Sequence, residues 1–215
     1  MRELRYTLTT DGSSDAALLP ILTWLLRTNG VSCAIQAEWA DLRQSRQLQK
    51  RKLDNRIRLS IDLYPCDLLF VHRDAERELR AKRVDEITEA VKKVVESYTV
   101  PPVVCVVPVR MQEAWLLFDK AAIRYAAGNR SSRQPLELPP LQKLEQLPNP
   151  KAELHECLKK ASGLGPRRLK RFRVHKLAYR ITQIIDDFAP LRVLNAFAAL
   201  EKDVAEAIER QGWNC

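Results

Sequence analysis

Apolar positions along the chain recur at two different periods, and their succession predicts strands and helices in alternation. Arg5 to Thr10 reads as a first strand. Ser13 or Ser14 then caps a helix running to about Thr28. Leu18, Leu19, Leu22, Leu25 and Leu26 give this helix a broad apolar face, and Pro20 bends its early turns. Asn29-Gly30 stops it, Val31 to Ile35 resumes as a second strand, and a long polar helix follows to about Leu63. Asp67 to Val71 is a third strand. Val84, Ile87, Val91, Val94, Val95 and Tyr98 return at helical spacing until Pro101-Pro102 breaks the chain. Val103 to Val107, the fourth strand, is apolar on both faces, which argues for a parallel sheet covered by helices on both sides. The expected fold class is therefore α/β, with a mainly parallel four-stranded sheet between helices.

Beyond Met111 the texture changes. A short helix holds Glu113 to Asp119, and Gly128 to Pro150 forms a Pro- and Ser-bearing connection too polar for a core. Helical patterns then occupy residues 150 to 162, about 166 to 186, and about 190 to 211. This places an α/β domain over residues 1–128 and a helical, basic C-terminal subdomain over 129–215, with no internal repeat.

Composition alters this picture mainly through charge. A chain of 215 residues with 46% hydrophobic and 29% charged residues is ordinarily globular, but 36 Lys and Arg against 27 Asp and Glu leave it at +9. Such a balance favours polyanions, DNA or RNA first. Arg43, Arg46, Lys50, Arg51, Lys52, Arg56 and Arg58 form one basic cluster; Arg167, Arg168, Lys170, Arg171, Arg173, Lys176 and Arg180 form another. From these, Lys50, Arg51, Arg56, Arg167, Arg168, Lys170 and Arg171 are the candidate nucleic-acid contacts. The plainer reading of either cluster is a solvated face or a surface for an acidic partner. Gly163-Leu164-Gly165-Pro166 before the second cluster suits a helix-hairpin-helix turn, though a simple corner between two helices explains it as well. Trp39 reads as a half-buried anchor or a base-stacking platform. Five cysteines, an odd number without a CxxC pair, fit reduced thiols in a cytoplasm. The first residues lack the apolar core of a signal peptide, and no run approaches the roughly 18 apolar residues of a membrane span, so no membrane association is expected.

The chemistry sits at strand ends. Thr9-Thr10-Asp11-Gly12-Ser13-Ser14-Asp15 closes the first strand and Val71-His72-Arg73-Asp74-Ala75-Glu76 the third. In an open parallel sheet such ends line one crevice, where carboxylates side by side hold a hard divalent cation. Asp and Gly also end strands simply because they make turns, and Asp15 is also suited to the positive end of the first helix. His72, ending a buried strand, reads as a support behind the ligands.

Over roughly residues 1 to 119 these motifs resemble the TOPRIM-like domains of topoisomerases, primases and OLD-type nucleases. In that family an acidic residue plus Gly ends the first strand and Asp-x-Asp the third, together binding magnesium for phosphodiester chemistry. Asp11-Gly12 matches the first, with Asp for the usual Glu, and Asp74-Ala75-Glu76 the second, with Glu for the latter Asp. A register one step earlier puts His72 at the first acid. Pro108-Val109-Arg110-Met111-Gln112-Glu113-Ala114-Trp115-Leu116-Leu117, with Asn149-Pro150-Lys151 downstream, is similar to a TOPRIM-like subfamily encoded beside ATPases in bacterial defence loci. The resemblance implies an ATPase partner and gives Glu113 a role as further ligand or water-orienting base.

The implied function is a nuclease subunit using Mg2+ or Mn2+. Its metal set is Asp11, Asp74, Glu76 and Glu113; Asp11, Asp74 and Glu113 are catalytic, and Asp15 and His72 stand behind them. The alternative is a non-catalytic nucleic-acid-binding or scaffold subunit of an ATPase complex with a degenerate site. A small-molecule phosphotransferase is disfavoured, since neither a P-loop nor GxGxxG is present.

Overall fold

The computed structural model describes residues 3–12, 14–42 and 52–214. At its centre β1 (Glu3–Thr9), β2 (Ala34–Trp39), β3 (Leu68–His72) and β4 (Val103–Val106) form a four-stranded, all-parallel sheet in the order β2-β1-β3-β4. Tyr6 of β1 lies opposite Ala37 on one side and Leu68 on the other, and His72 pairs with Val106. The chain steps outward from β1 to β2 through α1 (Leu18–Thr28). It then doubles back to β3 through α2 (Leu53–Leu63) and continues to β4 through α3 (Arg80–Val95). Because parallel crossovers keep one hand, this reversal places α1 on one face and α2 and α3 on the other. The strand order switches direction between β1 and β3, the point where open α/β sheets hold their ligands.

Alternation along each strand sorts side chains between two cores. Leu4, Tyr6 and Leu8 of β1, Leu68 and Phe70 of β3, and Val104 and Val106 of β4 pack with α1. Leu69 and Val71 turn the other way, onto Ile57 of α2 and Ile87, Ala90 and Val94 of α3. All five residues of β3 are buried, so the central strand carries the doubly covered pattern; β4 alternates half-buried with buried, as an edge strand does. β2 starts at Ala34 rather than Val31. Gly30, at φ 101°, turns the chain out of α1, and Val31 is buried with its N–H on Leu26 O, so it seals the helix end before the strand begins.

The C-terminal half consists of α4 (Lys120–Ala126), α5 (Pro150–Ser162), α6 (Pro166–Leu169), α7 (Leu177–Thr182) and α8 (Asn195–Gln211). The helix expected over 166–186 is broken, since a 3-10 turn at Val174–Lys176 separates α6 from α7; the one expected over 190–211 is continuous but starts at Asn195, with Pro190 in a 3-10 turn, Ala189–Val193, before it. Packing does not stop at the connection 129–149. Leu136, Leu144, Leu158, Ile181, Phe188, Phe197 and Leu200 share the α1-side core with Tyr6, Phe70 and Trp115, and α8 lies against β4 and α1. No helix among the described residues is long and apolar enough to cross a membrane.

Candidate functional site

His72, the last residue of β3, follows the alternation to the α1 side and is only 2% exposed. Its Nδ1 stands 3.0 Å from Val106 O, a carbonyl that can only accept, so Nδ1 carries the proton. Nε2 is thereby turned into the crevice, 3.5 Å from Asp74 Oδ1 and 3.8 Å from Asp15 Oδ2, both longer than a hydrogen bond. A buried imidazole that donates one N–H to a backbone carbonyl and aims its other nitrogen at carboxylates has the orientation of a metal-ligating histidine.

Asp15 is held from three directions. Gly12 N–H donates to Oδ2 at 2.8 Å, Gln112 Nε2 to Oδ1 at 2.8 Å, and the Ser14 hydroxyl to Oδ1 at 3.1 Å. Gly12 leaves room for this approach: a Cβ there would stand 3.1 Å from Oδ2 and 3.2 Å from Oδ1, so a larger residue would push the carboxylate aside by a few tenths of an ångström. Gln112 also gives its backbone N–H to Asp74 Oδ1 at 3.0 Å, so one buried residue positions two carboxylates. Glu113 follows it, 4% exposed, with Lys151 Nζ of α5 3.4 Å from Oε1. The chain reaches this position through two loops bonded to each other, Ala75 N–H to Pro108 O and Glu76 N–H to Arg110 O. Glu76 and Arg110 both sit in the left-handed region, at φ 55° and 65°, a strain of about 1 kcal/mol or more each that such loops store at functional sites.

Burial pushes the Asp74 carboxyl up to about 6, with Glu113 and Asp15 adding to the rise while His72 and the Gln112 N–H oppose it. Crowded carboxylates around one position raise proton affinity and, by the same electrostatics, cation affinity. Among the described residues no group of three or more His, Cys, Asp or Glu side chains is placed so that it could hold a metal ion.

Asp74 and Glu113 of the expected metal set thus come together, joined by Asp15 and His72, which were expected behind the ligands. Asp11 does not join them. It sits 46% exposed between the guanidinium groups of Arg56 and Arg73, the latter at 3.3 Å, and Arg56 also bonds Thr10 O. Glu76 is turned outward to Arg83 at 3.5 Å, its side chain 65% exposed. Strand parity accounts for Asp11 against Asp74: Leu8 faces α1 and Thr9 the opposite face, so Asp11 continues toward α2 while His72 and Asp74 continue toward α1. Glu76 shares the parity of Asp74 but leaves the crevice where the backbone turns at φ 55°, and Asp15 and Glu113 lie in 3-10 turns, where parity does not apply. The parity signal was present in the sequence. Gln112 and Lys151 carried no such signal, because their roles arise from a 3-10 turn and a distant helix start.

Of the expected nucleic-acid contacts, Arg56 is engaged with Asp11, and Lys50 and Arg51 lie outside the described residues. Arg167, Arg168, Lys170 and Arg171 are all exposed and form no ion pair with a described residue. Trp39 is half-buried in β2 and donates its Nε1–H to Thr10 Oγ1 at 3.0 Å. Searched against protein-family models, curated proteins and solved structures, the chain matches none.

Proposed function

We propose that this chain is a TOPRIM-like nuclease subunit, hydrolysing DNA or RNA phosphodiesters with Mg2+ or Mn2+ and working with a partner ATPase in bacterial anti-phage defence. The observation that carries the reading is the convergence of Asp15, Asp74, Glu113 and His72 Nε2 at the switch point. The donor types, carboxylate oxygens with one imidazole nitrogen, suit a divalent cation, while no three of them are placed to hold one in this structure. Ligands at about 2.0–2.2 Å from a metal stand about 3.0–3.5 Å apart, and His72 Nε2 is 3.5 and 3.8 Å from its two carboxylate neighbours. Asp15 and Asp74 would hold the ion as hard oxygen donors, positioned by Gln112. A nitrogen donor from His72 favours Mn2+ over Mg2+. When bound, the cation supplies a water of lowered pKa and neutralises charge gathering on the phosphate. Glu113, beside the set, would orient that water, and Lys151 would hold Glu113 until substrate arrives.

The ATPase partner and the defence setting rest on the narrower resemblance. Its two segments, 108–117 and 149–151, meet at the Glu113–Lys151 pair. The degenerate-scaffold reading draws on Asp11, whose charge two arginines already neutralise.

Melting the chain with and without manganese tests the metal reading. At a hundredfold excess over Kd a ligand adds about 2.7 kcal/mol, or roughly 5–10 °C for a chain of this size. We expect that rise in the wild type and its loss in Asp74→Asn with the manganese-free transition retained. An indifferent wild type overturns the proposal. Manganese binding without cleavage of DNA or RNA, alone or with an ATPase found to bind the chain, leaves the scaffold reading.

A further inference from the structure

Next to the acidic cluster a cavity of about 530 Å3 opens between the start of α5, the Val174–Lys176 turn and α7. Glu113 forms one wall, so the cavity and the acidic cluster are adjoining compartments. Leu154 and Val174 give the lining its apolar part, and Lys151, Lys176 and Tyr179 bring two ammonium groups and an aromatic ring. Tyr179 is 41% exposed while its helix neighbours Ala178, Ile181 and Thr182 are buried. Lys176 is exposed and forms no ion pair with a described residue.

The segment leading into this wall carries the second basic cluster. Arg167, Arg168, Lys170, Arg171 and Arg173 are exposed, none pairs with a described acid, and the backbone then runs directly into Val174 and Lys176. A solvated helix face would intersperse acids among its bases; from Pro166 to Arg180 there are none. Uncompensated cations ending at a cavity that holds an open aromatic ring and adjoins a carboxylate cluster are the parts of a single-strand binding path.

We propose that this cavity takes one unpaired nucleotide of a nucleic-acid strand, its phosphate between Lys151 and Lys176 and its base against Tyr179. The neighbouring phosphodiester then falls beside Glu113; that last step rests on the metal-dependent reading above, whereas the binding does not. A paired base cannot enter, because its partner and stacked neighbours would have to be stripped away first. The site therefore selects single strands, loops and frayed ends over duplex, and reads no sequence, since every base offers a ring face.

The test is fluorescence anisotropy with a short labelled oligothymidine and the same strand annealed to its complement, both in EDTA. The wild type should bind the single strand about tenfold or more tighter than the duplex. Tyr179→Ala should weaken single-strand binding about tenfold with the salt slope unchanged, and Tyr179→Phe should restore it. Lys151→Ala and Lys176→Ala should each flatten the slope by about 0.7, the value for one phosphate contact on a single strand. Equal affinity for single strand and duplex, or a Tyr179→Ala protein that binds as the wild type does, overturns the proposal. Manganese calorimetry on the same proteins separates the two readings: wild type that binds strand but no cation removes the nuclease reading and keeps the nucleotide site. Since Tyr179 and both lysines lie at the surface, melting should show these variants folded; should Tyr179→Ala fail to fold, the lysine slopes decide.

Discussion

The Nδ1–H of His72 is taken by Val106 O, so the ring nitrogen that meets Asp74 and Asp15 is the one without a fixed partner. Asp74 feels this arrangement most directly. Its carboxyl ordinarily titrates at 3.8, and burial in the crevice pushes it up to about 6. Between those values the folded chain keeps a proton that the unfolded chain has released, so Asp74 makes the fold less stable as pH rises through the window. Below 3.8 both states are protonated and above about 6 the loss is complete. One unit is worth about 1.4 kcal/mol; reduced for a side chain partly open to solvent, the whole effect is roughly 1–2 kcal/mol. Urea melts without divalent cations at pH 4 and pH 7 should show Asp74→Asn losing less stability over that interval than the wild type does. Equal losses would mean that Asp74 is not enclosed as described. The acidic character of the crevice was legible in the sequence because Asp74 and His72 close an apolar strand. Strand parity separates Asp11 from Asp74, but Asp15 and Glu113 enter from 3-10 turns that no strand period places, and the part played by Gln112 was not legible at all.

At the scale of elements, the strands, α1 and α3 followed from period and punctuation, with β3 and β4 within a residue of their expected bounds, whereas the long polar helix expected directly after Ile35 does not start there: β2 runs on to Trp39 and α2 begins at Leu53. The failures lie where local pattern meets a distant partner. β2 slid from Val31 to Ala34 because Val31 is used to close α1, and the basic run after Pro166 broke into short turns rather than one helix. α8 gives the clearest case. Leu194 occupies its N-cap and offers no side-chain acceptor; instead Glu145 accepts from the N–H groups of Asn195 at 3.2 Å and Ala196 at 2.9 Å. The residue that caps α8 is thus about fifty positions away, beyond the reach of any local motif. A carboxylate there also faces the positive end of a long helix. Glu145→Ala should cost about 1 kcal/mol, within the range for losing an N-cap, and lower the melting temperature by roughly 2–4 °C. Glu145→Gln, which keeps an acceptor, should lose less. A variant Glu145→Ala that melts as the wild type does would show the cap to be replaced by water.

For the molecule as a whole, the polar connection 129–149 suggested a boundary, yet the side chains beyond it complete the core of the sheet. Trp115 meets Phe197 edge-on at 5.3 Å between ring centroids, and Trp24 and Phe118 meet Phe188 at 5.9 and 6.4 Å. Each of these contacts crosses from the first 128 residues to the last 87, and α8 covers the flank of α1 and β4. A fragment ending at residue 128 would leave Trp24, Trp115, Phe118 and the α1 face in water. Burying a large apolar side chain is worth about 1.5–3 kcal/mol, while an entire domain is stable by only about 5–15 kcal/mol, so uncovering several of them is enough to remove the folded state. The fragment should lack a cooperative thermal transition and should bind a hydrophobic dye that the full chain excludes. The full chain should melt in one step by both far-UV circular dichroism and tryptophan fluorescence, since Trp24 and Trp115 report from the shared core. A fragment of residues 1–128 that melts sharply and binds manganese would instead make the acidic site independent of the helices behind it. The observed sharing of Glu113 with Lys151 argues against that independence, because the start of α5 both packs the core through Leu154 and reaches into the site.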